Sequence, residues 1–378
     1  MAERPIGRCG IYPIGRGVKM SWVVHKFGGA SIRDASGVEN LGRILRDRRL
    51  GADRGRKQAV VVSAMGKTTN ALEEVWQALP QAGAAAVLVD AVVDAHERVA
   101  EALGLPASIL IQSKVAFEAL AIKLSGQPAT DATYDAVVGF GERWSTEIVA
   151  AHLAQIGLDG LWVSAWDLVR TNEHHRAAEV DLGLTMHAIQ QASEGWNSSV
   201  PVMQGFVGST LEGVSTTLGR EGSDFSGALM AEALGAAVFC VWKDVPGVMT
   251  GDPRKWPDAT FIPHLDHKTA EAMGLAGAGV LHPNTMAPLR RSGIPLLVNG
   301  FMDPETTGTR IEGDVPPKDL PPLWTLSTGP EGQTVVRCIG ATRETAAAVW
   351  QAQFPERPIA SLEIDAVVPR CIRVNLEN

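Results

Sequence analysis

The sequence predicts an α/β protein, and three observations support this fold class. Two short apolar runs near the amino terminus, at 23–27 and 59–62, each lead into a glycine-containing turn and then into residues with helical spacing. A third apolar run, at 200–207, is followed by the glycine-rich segment 216–227, which opens another helix. Strand, glycine turn and helix in this order are typical of phosphate-binding α/β proteins, because a helix N-terminus attracts anions.

The composition is that of a globular protein rather than a disordered one. At 378 residues, with 45% hydrophobic and 20% charged residues, the chain is long enough for two lobes that each have a core. The formal net charge of -8 is spread along the sequence, and the absence of a basic stripe disfavours nucleic acid as a partner. The four cysteines are far apart and fit neither a disulfide framework nor a metal site, so we expect a reducing compartment.

The sequence gives no indication of a membrane protein. No apolar run is long enough to cross a bilayer, and residues 1–20 lack the apolar core of a signal peptide. We therefore expect residues 1–20 to be a flexible lead-in and the protein to be cytoplasmic, with no membrane partner.

The first strand ends in a lysine. Lys26 lies just before Gly28 and Gly29, where the backbone is compact and an ammonium group can reach a phosphate. A solvated lysine at the end of a strand is an equally simple interpretation of this position.

The second strand, 59–62, is followed by hydroxyl side chains. Gly66-Lys67-Thr68 resembles the end of a P-loop, but that motif needs a glycine five positions before Gly66, where this chain has Val61. Ser63 and Thr69 are then hydroxyl groups at the carboxyl end of a strand, which is where open α/β sheets bind ligands.

The next segments carry fewer functional signals. Residues from about 81 to about 124 have helical spacing, and we expect His96 within them to lie on the surface. Glu142 lies at the start of an apolar helix, and its negative charge is interpreted as favourable in the first turn. The pair His174 and His175 has no spaced carboxylate or cysteine partners, so we predict no metal site there.

The glycine-rich segment concentrates more chemistry than any other stretch. Gly219 and Gly222 allow a ligand to approach the backbone, and Arg220 presents a planar guanidinium suited to a carboxylate. Ser223 or Asp224 could instead be an ordinary helix cap.

A loop dense in turn-forming residues follows the apolar strand 236–242. It carries Asp244, Asp252 and Arg254, and loops at strand ends often carry function on a rigid scaffold. From about 315 a cluster of prolines marks a linker, and the remainder, to 378, is predicted as one small α+β unit. Its predicted elements are strands at 335–339 and 362–368 and a helix at 344–353.

Six motifs occur in order between residues 23 and 311. They are KFGGAS at 26–31, VSAMGKTTN at 62–70, FGE at 140–142, LGREGSD at 218–224, WKDVPG at 242–247 with DPR at 252–254, and LHP at 281–283. Together they resemble the successive motifs of the aspartate kinases, in the amino acid kinase family.

The resemblance implies a fold and a reaction. The expected fold is a three-layer α/β/α sandwich over residues 21–314, in which the amino-terminal lobe binds the amino acid and the carboxyl-terminal lobe binds ATP. The expected reaction is ATP-dependent phosphorylation of the β-carboxylate of L-aspartate, with Mg²⁺ held mainly by the phosphates. The family also implies a possible homodimer.

The resemblance implies a role for each motif residue. Lys26 contacts the ATP phosphates and the transferring group, Gly28 and Gly29 line them, and Asp224 orients Lys26. The residues around the amino acid are Ser63, Thr69, Glu142, Arg220 and Ser223. The residues that hold the nucleotide are Lys243, Asp244, Met249, Asp252 and Arg254.

Two departures from the family pattern change the expectations. Gly279 stands where many relatives have a lysine that contacts the nucleotide, so this contact is not predicted here. Family members usually end in two ACT domains that sense lysine or threonine, whereas residues 315–378 are too few for two and form a truncated ACT-like remnant at most. We therefore expect no feedback control by lysine or threonine.

Two other interpretations stay open at the level of sequence. One keeps the fold and the acyl-phosphate chemistry but has another amino acid or carboxylate as acceptor, since few substitutions retune a pocket. The other is a ligand-binding homologue without catalysis. Lys26, Arg220 and Asp224 argue against the second interpretation, and Gly279 is the feature in its favour.

Overall fold

The computed structural model describes residues 21–81, 83–256, 258–279, 282–328 and 334–376. The predicted lead-in, residues 1–20, and the first residue of the LHP motif, Leu281, lie outside the described residues. Among the described residues, no helix combines the length and the apolar character that a membrane span requires.

The described chain alternates strands and helices. The strands are β1 (Trp22–Phe27), β2 (Lys57–Val62), β3 (Gly160–Val163), β4 (Val200–Gln204), β5 (Val207–Ser209), β6 (Ser215–Thr217), β7 (Val238–Lys243), β8 (His264–Leu265), β9 (Leu296–Gly300), β10 (Thr309–Ile311), β11 (Leu323–Thr328), β12 (Thr334–Ile339), β13 (Ile359–Ile364) and β14 (Cys371–Leu376). The helices are α1 (Ala35–Leu50), α2 (Thr68–Ala78), α3 (Ala84–Ala102), α4 (Ile111–Leu124), α5 (Asp131–Val138), α6 (Phe140–Gln155), α7 (Ala165–Leu168), α8 (Leu182–Ser193), α9 (Gly222–Ala233), α10 (His267–Leu275), α11 (Pro283–Ser292) and α12 (Arg343–Gln353).

One large sheet organises the first part of the chain. Its eight strands lie in the order β3-β4-β2-β1-β7-β9-β10-β8. Neighbouring strands are parallel, except that β10 runs antiparallel to β9. The carboxyl ends of β1, β2, β4 and β7 therefore meet at one edge of the sheet, where open α/β folds bind their ligands.

Helices cover both faces of this sheet. Alternate side chains of a strand point to opposite faces, and in β1 Val23 and Phe27 join a core with α1 and α6, whereas Val24 joins a second core with α9. β2 divides in the same way, with Val60 in the first core and Val61 in the second. Two apolar cores on the two faces of a mostly parallel sheet confirm the predicted three-layer α/β/α sandwich.

The helical segment predicted between 81 and 124 is observed as α3 and α4, but the expected surface position of His96 is wrong. The His96 side chain is buried, with Nδ1 2.8 Å from the carbonyl oxygen of Val92 and Nε2 3.2 Å from Oγ1 of Thr68. His96 follows Val92 by four positions and Val89 by seven, so it shares the buried face of α3 with them. Burial lowers the pKa of His96.

The C-terminal unit is a separate four-stranded antiparallel sheet in the order β11-β12-β14-β13. The predicted strand 335–339 and helix 344–353 correspond to β12 and α12. The predicted strand at 362–368 is displaced, because β13 spans Ile359–Ile364 and a turn follows it. Strands β11 and β14 were not predicted.

The expectation that lysine and threonine do not regulate the protein stays a prediction.

An aromatic cluster joins the C-terminal unit to the loop that follows β7. Trp256 of that loop has its ring centre 5.4 Å from that of Trp324 and 4.9 Å from that of Phe354. The backbone N–H of Trp324 also donates to the carbonyl oxygen of Thr250 at 2.7 Å. The loop is thus fixed between the large sheet and the C-terminal unit.

Candidate active site

A cavity of about 480 Å³ opens at the carboxyl edge of the large sheet. It lies where the ends of β1 and β2 face the N-terminus of α9 and the first turn of α6. Seven of the residues predicted from the sequence line it together: Lys26, Gly29, Ser63, Thr69, Glu142, Arg220 and Ser223.

A buried carboxylate holds two lysines beside this cavity. Lys26 at the end of β1 has its Nζ 2.6 Å from Oδ1 of Asp224, in the first turn of α9. Lys243 at the end of β7 donates from Nζ to Oδ2 of Asp224 at 2.8 Å. The lysine side chains are 6% and 16% exposed and that of Asp224 is 4% exposed, so one anion joins two strands and a helix away from bulk water.

The two lysines keep Asp224 ionised. Burial acts to raise the pKa of Asp224, but the charges of Lys26 and Lys243 outweigh it and lower the pKa to about 2. The same carboxylate raises the pKa of Lys243 against the opposing effect of burial. At neutral pH Asp224 is therefore ionised and Lys243 carries its positive charge.

The turn after β1 requires glycine for a steric reason. A Cβ atom at Gly29 would lie 2.3 Å from the carbonyl oxygen of Ala64, which follows β2. A Cβ at Gly28 would lie 3.8 Å from Nζ of Lys26. The two glycines thus let the β1 turn approach the β2 turn while leaving space beside the lysine.

Glu142 is a second buried carboxyl group in the cavity wall. The backbone N–H of Ala64 donates to its Oε1 at 3.1 Å, while Oε2 has no hydrogen-bond partner among the described residues. Burial raises the pKa of Glu142 to about 8, although the Ala64 N–H and the charge of Lys26 act to lower it. A buried acid with a free oxygen is suited to receive a cation from a ligand.

The glycine-rich turn places Arg220 at the cavity mouth. Gly219 has φ +74° and Glu221 has φ +55°, so the chain turns sharply before α9 begins at Gly222. Arg220 is exposed, and in the part of the chain that the structure describes it forms no ion pair. Its guanidinium is thus free to bind an anionic ligand, and Ser223 lies in the first turn of the helix.

Four of the predicted nucleotide residues, Asp244, Met249, Asp252 and Arg254, lie outside this cavity on the loop after β7. The fifth, Lys243, ends β7 and contacts Asp224. Asp244 is exposed, and Met249 pairs through its backbone with Phe261. Asp252 accepts from the guanidinium of Arg254 at 3.0 Å. Gly279 is exposed, and a Cβ there would meet no atom within 4 Å.

Sequence reasoning missed several lining residues. Tyr134, Arg176 and Phe206 face the cavity although they belong to none of the six motifs. The hydroxyl of Tyr134 donates to Glu73 at 2.7 Å, and the guanidinium of Arg176 lies 4.2 Å from the centre of the Tyr134 ring. Arg176 and Phe206 lie in irregular segments, where no periodic pattern indicates which side chain faces a ligand, and Tyr134 lies in α5, outside the six motifs.

The fold and this site define a class of protein: an α/β protein with a cavity lined by charged side chains at the carboxyl edge of its sheet. The model of the amino acid kinase family matches residues 21–299. The chain belongs to this family.

Similar proteins agree with this assignment. The lysine-sensitive aspartokinase 3 of Escherichia coli is 32% identical over 317 residues, which cover 83% of this chain and 68% of that protein. A bifunctional aspartokinase/homoserine dehydrogenase of Daucus carota is 31% identical over 303 residues. Those residues cover 77% of this chain but 32% of the carrot protein, so the chain spans about a third of the length of this relative.

A solved structure extends the similarity to three dimensions. The crystal structure of E. coli aspartokinase III in complex with aspartate and ADP has a TM-score of 0.73 and 27% sequence identity. The comparison covers 94% of this chain and 78% of the other.

The buried Lys26–Asp224–Lys243 cluster gives a stability prediction. Asp224→Asn should lower the free energy of unfolding at pH 7 by about 3–5 kcal/mol, because it leaves two buried ammonium groups without their anion. Urea denaturation measures this loss. Adding Lys26→Met to the variant should restore part of it, and a loss below about 1 kcal/mol would show that water screens the cluster.

Proposed function

We propose that the chain catalyses ATP-dependent phosphorylation of the β-carboxylate of L-aspartate, forming an acyl phosphate. One observation carries the proposal: the same cavity is lined by buried Glu142, by Arg220 and by Lys26, and within the described ranges Oε2 of Glu142 has no hydrogen-bond partner and Arg220 no ion pair. These groups match an ammonium, a carboxylate and an incoming phosphate. The similarity to aspartokinases, one of them in complex with aspartate and ADP, supports the same reaction.

The acceptor half of the site accounts for the amino acid. Glu142 accepts hydrogen bonds from the α-ammonium group, and Arg220 binds the α-carboxylate through its planar guanidinium. The hydroxyls of Ser63, Thr69 and Ser223 supply further hydrogen bonds along the cavity. The β-carboxylate then points toward Lys26.

The transfer half of the site offsets the repulsion between two anions. Lys26 lies at the junction of acceptor and phosphate, and its charge is most useful as negative charge develops on the transferring phosphoryl group. Asp224 fixes the position of Lys26 and of Lys243. The backbone N–H groups at the start of α9 add partial positive charge on the same side of the site. Positioning and electrostatics are enough for this chemistry, which needs no protein nucleophile.

The loop after β7 is proposed to hold the nucleotide. Asp244, Met249, Asp252 and Arg254 lie on this loop, which the Trp256 cluster fixes in place. In the part of the chain that the structure describes, no group of three or more metal-ligating side chains is present. We propose that Mg²⁺ enters with ATP and is coordinated mainly by the phosphates, where it supplies charge neutralisation.

Hydroxylamine trapping tests the reaction and the acceptor together. With Mg-ATP and a panel of L-aspartate, L-glutamate and N-acetyl-L-glutamate, the hydroxamate should form best from L-aspartate. Reactions without ATP are the control. If the hydroxamate forms best from another acid, that acid is the acceptor. If no acid gives a hydroxamate while ATP still binds, the chain is a non-catalytic homologue.

The pKa of Glu142 makes substrate affinity depend on pH. Its carboxyl group must lose a proton to bind the ammonium, so the affinity for L-aspartate should rise by more than about tenfold between about pH 6 and about pH 8 and then level off. Calorimetric titrations across this range measure the effect. Glu142→Gln should weaken binding and remove the pH dependence.

The same variant has an opposite effect on stability. Because the folded pKa of about 8 lies above the ordinary 4.5, the Glu142 carboxyl group keeps its proton in the folded chain and releases it on unfolding between these two pH values, so stability falls as pH rises from 4.5 to 8. Glu142→Gln should therefore unfold at a higher temperature than the natural chain at pH 8. A lower melting temperature together with unchanged pH dependence of binding would contradict this role.

A further inference from the structure

Strained backbone is concentrated at the acceptor cavity. Among the described residues, six that are not glycine have positive φ: Asp159, Arg176, Asn197, Phe206, Glu221 and Arg370. Three of them, Arg176, Phe206 and Glu221, line this one cavity. Such conformations cost about 1–3 kcal/mol each and persist where the surrounding structure enforces them, most often at ligand sites.

The backbone of Arg176 is held by a buried carboxylate. The N–H of Arg176, at φ +65°, donates to Oδ2 of Asp135 at 3.1 Å and also lies 3.2 Å from its Oδ1. The side chain of Asp135 is fully buried, and it also accepts from Oγ1 of Thr217 at 2.6 Å. Nδ1 of His175 lies 2.8 Å from its Oδ2. Asp135 thus overrides the local preference of residue 176 for negative φ.

This segment lies against the turn that carries Arg220. A Cβ at Gly219 would lie 3.0 Å from the carbonyl oxygen of Arg176, and the N–H of Ala178 donates to the carbonyl oxygen of Thr217 at 2.9 Å. Arg176 and Arg220 therefore approach the same part of the cavity from two different chain segments.

The guanidinium of Arg176 is positioned but weakly neutralised. It lies over the Tyr134 ring at 4.2 Å and 5.7 Å from the centre of the Trp76 ring, an arrangement that restricts its rotation. Its ion-pair partner is Asp131, at 3.4 Å from Nη1, and these two side chains are 46% and 64% exposed to water. A surface pair of this kind is weak, so much of the charge remains available to a ligand.

Two other charged groups of the cavity already have ion-pair partners, so a ligand carboxylate can bind between Arg176 and Arg220. Lys26 is already paired with Asp224, and Glu221 lies 3.8 Å from Nζ of Lys243. Arg176 and Arg220 are the cationic side chains at the mouth among the lining residues described.

We infer that Arg176 is a specificity-determining residue that binds the α-carboxylate of the acceptor together with Arg220. The inference rests on the proposed function, and it adds a second cation from outside the six motifs. Two guanidiniums would favour an acceptor that keeps a charged carboxylate at the α position over one in which this group is esterified.

Arg176→Gly is the informative variant, because glycine adopts positive φ without strain. Calorimetry compares its binding of L-aspartate and of L-aspartate α-methyl ester, which keeps the ammonium and the β-carboxylate but lacks the α charge. We expect about tenfold weaker binding of L-aspartate and less than about twofold change for the ester. kcat for L-aspartate should stay within about twofold of the natural value.

A matched control separates this role from a structural one. Arg370→Gly makes the same chemical change at another positive φ, +57°, in the C-terminal unit, and should leave aspartate binding unchanged. Arg176→Lys should retain part of the affinity. The melting temperature of Arg176→Gly should not fall, because the substitution relieves backbone strain.

The outcomes are distinct for the inference and for the proposed function. Calorimetry does not require turnover, so loss of the preference for aspartate over its ester supports the inference even if no hydroxamate forms. An equal loss for both ligands, an unchanged affinity for aspartate, or no preference in the natural chain overturns it.

Discussion

The site depends on one buried anion shared by two cations. Asp224 contacts Lys26 from β1 and Lys243 from β7, and it belongs to the first turn of α9. Any enzyme that joins a carboxylate to a phosphate must bring two anions together, and lysines left free in a buried site would tend to lose their protons. Because Asp224 pairs with both lysines and raises the pKa of Lys243, the two amino groups are fixed beside the cavity before either ligand arrives.

The sheet and a few close contacts position this cluster. β1 lies between β2 and β7 in a parallel arrangement, so the Lys26 and Lys243 ends lie at the same edge. A Cβ at Gly205 would lie 2.5 Å from Cβ of Ser223, so this glycine allows the N-terminus of α9 to reach the end of β4. The geometry of the site is thus a consequence of strand order together with backbone approaches that only glycine permits.

The sequence predicts those parts of the site that local patterns encode. Lys26 and Arg220 were predicted because a glycine turn between a strand and a helix indicates anion binding, and both line the cavity. Their roles, like those of the nucleotide loop, stay predictions. Local patterns did not indicate Arg176, whose position depends on Asp135 forty-one residues earlier in the chain. The predicted surface position of His96 was wrong, because this residue was interpreted by its polar type rather than by its spacing on the apolar face of α3.

The most direct test of this account is the kinetic comparison of Lys26→Ala with Arg220→Ala. If Lys26 acts on the transferring phosphoryl group, its loss should lower kcat by about 10²–10³ while the aspartate KM changes little. Arg220→Ala should instead raise the aspartate KM with a smaller effect on kcat. The reverse pattern, in which Lys26→Ala mainly weakens aspartate binding, would contradict the roles assigned to the two cations.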